Sequence, residues 1–103
     1  MSFTVPATFS IFGHKYKVSM ATFEAMDTDL GQCNYITKQI MLRRSTNTHP
    51  LARSEIEQTA LHEITHAILR EIGEGKLARN EALVDRFAQA LHQVLVTSSG
   101  EAK

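Results

Sequence analysis

A single cysteine, Cys33, excludes an internal disulfide framework and any Cys-rich zinc module. The fold must therefore be held by packing, or by a metal bound through other side chains. Neither charge is in excess: eleven basic and eleven acidic residues cancel. That balance argues against a dedicated nucleic-acid binder, which normally carries a basic stripe. The one adjacent basic pair, Arg43-Arg44, reads as a solvated strand end. No apolar run approaches the roughly 18 residues of a membrane span, and Met1-Ser2-Phe3-Thr4 lacks the basic start and apolar stretch of a signal peptide. The expected address is the cytoplasm, with no membrane and no nucleic acid among the partners. Repeats and low-complexity tracts are also missing.

What remains is the composition of an ordinary globule, 43% apolar and 21% charged over 103 residues, which fits one domain spanning residues 1–103. It divides into two halves. Over residues 8–42 apolar side chains alternate, as in strands with one buried face. Thr8 to Phe12 and Lys15 to Met20 flank Gly13-His14 and predict a hairpin. Asn34-Tyr35-Ile36 and Gln39 to Leu42 flank a Thr37-Lys38 turn and predict a second one, with Gly31 as the break before it. Ala21 to Leu30 reads equally as a loop or a short helix.

Beyond a polar connector over residues 46–53 the pattern is helical. Ser54 followed by Glu57 forms a capping box, and Gly73 stops the helix, which gives a span of 54–72. A second helix over 80–97 opens at Asn80 and ends before Ser98-Ser99-Gly100. The fold class expected is α+β: a small antiparallel sheet of three or four strands packed on these two helices.

The first helix contains His62-Glu63-Ile64-Thr65-His66, the pattern H-E-x-x-H. Histidines four residues apart stand one above the other on a helix, so both imidazoles can reach one zinc ion. Glu63 lies on the adjacent flank, placed to take a proton from water rather than to complete the metal shell. Ile56, Ala60, Leu61, Ile64, Ala67, Ile68 and Ile72 form one apolar arc, and the two histidines point nearly opposite it.

A catalytic zinc site needs at least one further protein ligand. On the second helix Leu83, Val84, Phe87, Ala90, Leu91, Val94 and Leu95 form the expected packing stripe, with Glu81 and Asp85 one turn apart on its border. Either carboxylate can swing back over the first helix if Gly73 and Gly75 reverse the chain. Either can also merely complement the helix dipole or face solvent.

H-E-x-x-H followed by Asn80-Glu81 and Asp85 resembles the gluzincin metallopeptidases, the clan of thermolysin. The short strand half and small size are more similar to compact phage and bacterial zincin domains, the single-domain minigluzincins and the ImmA/IrrE-type peptidases. The resemblance implies one Zn2+ per chain held by His62, His66 and Glu81, with Glu63 as general base. It also implies that Asp85 orients a zinc histidine, and that peptide or protein substrates are hydrolysed. The spacer before Glu81 is shorter than in many relatives, which keeps Asp85 as an alternative ligand. The edge strand along which substrate would lie is expected at Gln39 to Leu42.

Larger members supply a His, Tyr or Arg to the oxyanion from a second subdomain, for which this chain has no room. His49 and Tyr35 are the candidates left, since His92 lies roughly 16 Å along the helix from Glu81. Two other classes fit the same residues: a non-catalytic domain stapled by zinc, and a latent peptidase regulated by a partner.

Overall fold

Phe12 and Gly13 both take left-handed backbone, with φ of 50° and 82°, and this makes the two-residue turn of the first hairpin. It joins β1 (Thr8–Ile11) to β2 (His14–Ala21), pairing Ile11 with His14 and Phe9 with Tyr16. The turn thus falls one residue earlier than the sequence pattern placed it. The structure, a computed structural model, describes residues 3–21, 30–46 and 49–103. Most of the ambiguous stretch from Ala21 to Leu30 lies outside the described residues.

In the second hairpin β3 (Gly31–Asn34) pairs antiparallel with β4 (Gln39–Arg43). Gly31 opens the strand instead of preceding it, and Tyr35 and Ile36 belong to the turn. The cause is Asn34, whose Oδ1 accepts the backbone N–H groups of Ile36 and Thr37 at 2.9 and 3.0 Å and so diverts the chain.

The fold is α+β, and its four-stranded sheet is mixed. Strand order is β1-β2-β4-β3, with β2 and β4 parallel and Val18 opposite Ile40. An all-antiparallel sheet was expected because both hairpins are local; how the hairpins join is not a local property. The parallel junction makes β4 central and β3 an edge, so the edge strand expected at Gln39 to Leu42 is corrected to Gly31–Asn34. Ile40 and Leu42 accordingly have no exposure, and with Ala60 they form the core under Phe9, Val18, Met20, Cys33, Ile56 and Ile64.

Helix α1 (Arg53–Glu71) covers one face of this sheet. Its N-cap is Ala52, whose N–H is accepted by Glu55 Oε1 at 3.1 Å, two residues before the Ser54 box that the sequence suggested. Glu57 turns inward instead. At the other end Gly73, φ 86°, closes a Schellman motif: its N–H bonds the Arg70 carbonyl and that of Glu74 bonds the Leu69 carbonyl. One turn of helix, α2 (Gly75–Ala78), completes the reversal, so Gly75 is helical rather than a pivot.

Helix α3 (Glu81–Thr97) starts at Asn80, whose side chain accepts the Leu83 N–H at 3.1 Å. It runs back along α1: Glu81 meets His62 and His66, while His92 meets Glu57 at 2.8 Å. The pair Glu57–His92 is buried, and it turns Val84, Ala88 and His92 inward. Phe87 and Val94, expected in the packing stripe, are consequently 52% and 58% exposed. On α1 the apolar arc is likewise interrupted, with Ile68 and Ile72 exposed and Glu63 and His66 buried. Among the described residues no helix is long and apolar enough to cross a membrane.

Candidate metal centre

The i, i+4 spacing of His62 and His66 brings their rings to an edge-on contact with centroids 4.9 Å apart. Their Nε2 atoms come within 3.2 Å of each other. From α3, Glu81 sets Oε2 3.0 Å from His62 Nε2 and Oε1 3.1 Å from His66 Nε2. Asn80 makes this possible, because its cap starts α3 so that Glu81 is the first helical residue facing back over α1.

Glu81 offers acceptor oxygens, and an imidazole that carries its proton on Nδ1 offers an Nε2 lone pair at the same point. With both rings in that tautomer a cation completes the group; with the protons on Nε2 each ring donates to one Glu81 oxygen. The spacing fits a cation: four ligands at zinc-like bond lengths of about 2.0–2.1 Å make tetrahedral edges of about 3.3–3.4 Å. His62, His66 and Glu81 thus form a group that could hold a metal ion. The structure brings these three sequence-derived ligands together.

Asp85 stands one turn further on, with Oδ1 3.6 Å from His62 Nδ1 and Oδ2 accepting from Gln89 Nε2 at 2.9 Å. This separation is longer than a hydrogen bond, yet the carboxylate faces the ring nitrogen turned away from the cluster. With a metal on Nε2, the proton on Nδ1 would face this carboxylate.

The cluster forms one wall of a cleft of about 1020 Å³ between α1, the start of α3 and strand β3. Glu63 lies in that wall beside the ligands and is 8% exposed. Its carboxylate lies close to β3: a Cβ built on Gly31 would fall 3.2 Å from Glu63 Oε2. Cys33 lies on the same strand, half-buried. Burial pushes its thiol up to about 12, and the Glu63 charge acts in the same direction.

Tyr35 also lines the cleft, with the Arg70 guanidinium 4.6 Å from its ring centroid. Burial raises its phenol, with the hydrogen bond from Arg70 opposing the rise. Of the two oxyanion candidates only Tyr35 is in the wall. His49 is bonded to Thr46 in the connector, at 3.0 Å. His92 is committed to Glu57, and His14 to Glu71 at 2.8 Å. The sequence marks Gly31 only as a break, and gives no sign of Arg70 behind Tyr35. Neither contact has a pattern, since each joins residues distant in the chain.

Among the described residues the cleft lining includes the carboxylates of Glu55, Glu63, Glu81 and Asp85 and no lysine or arginine. Comparison with protein-family models, with curated proteins and with solved structures found no match to this chain.

Proposed function

We propose that this chain is a zinc-dependent peptidase of the compact zincin type, with His62, His66 and Glu81 as the metal ligands. The observation that supports this reading best is the convergence of both Nε2 atoms and the Glu81 carboxylate at 3.0–3.2 Å, beside a cleft that Glu63 also lines. Zinc bound there would supply Lewis acidity and a water acidic enough to be deprotonated near neutral pH.

The chain's own residues do the rest. Glu63 accepts the proton of the attacking water and returns it to the departing amine. Asp85 keeps the His62 ring turned so that Nε2 faces the cluster. Among the described residues β3 pairs with β4 and is an edge of the sheet, and strand addition there would lay an extended peptide along the cleft. The carboxylate-rich lining favours segments bearing basic side chains.

The test is Glu63→Gln, which keeps side-chain size but cannot accept the proton. Zinc content should be unchanged and cleavage of a peptide library should fall by about 10²- to 10⁴-fold. Equal cleavage by variant and parent would refute the assignment of Glu63. Zinc binding with no cleavage by either protein would favour a zinc-stapled or latent domain.

A further inference from the structure

Strand β3 approaches α1 more closely at Gly31 than any side chain would permit. A Cβ there would lie 2.6 Å from Thr59 Cγ2, 3.1 Å from Glu63 Cγ and 3.2 Å from Glu63 Oε2. The first distance is shorter than two carbons tolerate, so an added methyl must displace something.

Two of the three surrounding bodies are pinned. Behind Gly31 the strand is laddered to β4, where Gly31 pairs with Leu42 and the Arg43 N–H bonds the Leu30 carbonyl at 3.0 Å. Leu42 has no exposure, so the ladder ties the strand to a closely packed part of the sheet. Ahead of it, Thr59 Oγ1 donates to the Glu55 carbonyl at 2.9 Å, which fixes the rotamer that aims Cγ2 at the glycine. Glu63 is the third, and it meets the strand through Cγ and Oε2.

We infer that Gly31 is a positioning residue for Glu63: by lacking a side chain it lets the edge strand close against the Glu63 stem and hold the carboxylate in the cleft wall. This rests on the proposed role of Glu63 as proton acceptor. The contact itself is independent of that role and of any metal. General-base catalysis is sensitive to this kind of support, because proton transfer requires hydrogen-bond reach and alignment.

The experiment uses the full chain and starts from Thr59→Ser, which deletes Cγ2 but keeps the hydroxyl that bonds the Glu55 carbonyl. In the metal-free protein, urea unfolding midpoints are measured for Gly31→Ala, Glu63→Ala and the pair, with and without Thr59→Ser. Gly31→Ala should lower the midpoint, less so with Thr59→Ser, and less again when Glu63→Ala removes the second obstacle. Strictly additive losses would overturn the contact.

In the zinc-loaded protein, adding Gly31→Ala to Thr59→Ser should lower kcat by about 3- to 10-fold, since contacts at 3.1 and 3.2 Å oblige Glu63 to give by a few tenths of an ångström. KM and zinc content should hold. In a Glu63→Gln background the same change should have no further effect on the residual rate. A kcat loss that persists there, or no loss at all, would show that Gly31 does not act through Glu63. If the parent cleaves nothing, the peptidase reading fails while the metal-free cycle still decides the contact: coupling supports it and additivity overturns it.

Discussion

Two glutamates at helix ends gather partners around a carboxylate, and the contrast between them separates a structural cluster from a metal centre. Glu71, in the last turn of α1, accepts from Tyr16 Oη and Lys38 Nζ at 2.7 Å each and lies 2.8 Å from His14 Nδ1. Donors surround an acceptor, and the cluster is satisfied by the chain itself. It ties β2 and the β3–β4 turn to α1, and it offsets a negative charge at the unfavourable end of the helix dipole. Glu81, in the first turn of α3, instead meets two imidazole Nε2 atoms that are themselves 3.2 Å apart. At Glu71 a lysine and a tyrosine bring protons of their own, whereas at Glu81 both partners are ring nitrogens able to bind a metal through a lone pair. The convergence of two ring nitrogens and a carboxylate on one point, and not the mere presence of histidine beside glutamate, marks the candidate site.

The largest test of that contrast is loss of ligands. His66→Ala and Glu81→Ala should each reduce zinc from about one per chain to less than about a tenth after reconstitution. His14→Ala and Glu71→Gln should leave zinc content unchanged. Zinc retained by both ligand variants would erase the distinction between the clusters.

A smaller effect is expected one turn away. Asp85→Ala should weaken zinc by about 10- to 100-fold in competition with a chelator, the usual consequence of losing a partner that orients a ligand. Should Asp85→Ala abolish binding while Glu81→Ala spares it, Asp85 is the ligand and the contrast moves by one helical turn.

The structural cluster has its own signature in acid. Lys38 first, then Tyr16 and His14, hold the Glu71 carboxyl down at about 2, with burial opposing them. A carboxyl depressed on folding contributes stability that is present above its ordinary value of 4.5 and is lost as pH falls towards 2. Thermal midpoints of the metal-free protein should therefore drop through this window, and Glu71→Gln should flatten part of the drop. Glu57, also lowered, chiefly by its bond to His92, supplies a share that Glu71→Gln leaves intact. An unchanged profile in Glu71→Gln would show that the cluster adds nothing to stability.

The smallest effect concerns what presents Glu81. Asn80→Ala removes the acceptor for the Leu83 N–H and should cost about 1 kcal/mol in urea unfolding. Zinc affinity should move less than in Asp85→Ala. A larger affinity loss would make the cap part of the site instead of a support for its helix.

How much of this was legible in the chain follows the range of the forces involved. His62, Glu63 and His66 were readable because helical geometry alone sets residues four apart on one face. The start of α3 at Asn80 and the stop at Gly73 were readable because caps are satisfied within a few residues. Ser54 misled because Glu55, equally able to reach back, caps Ala52 instead. Phe87 and Val94 misled because a helix with several apolar positions can be rotated by one buried pair, and Glu57–His92 set that rotation.

The sequence by itself determined the two hairpins, the two long helices and the paired histidines. Each of these is decided by backbone sterics, capping or periodicity over a few residues. Only the tertiary structure decided that β2 and β4 run parallel, that β3 is the edge beside the cleft and that Gly31 rests against Glu63. It also decided which glutamate meets a lysine and a tyrosine and which meets two ring nitrogens. These depend on surfaces that become neighbours only when sheet and helices bury their apolar faces together, and alternation or helical period is the same whichever neighbour is chosen.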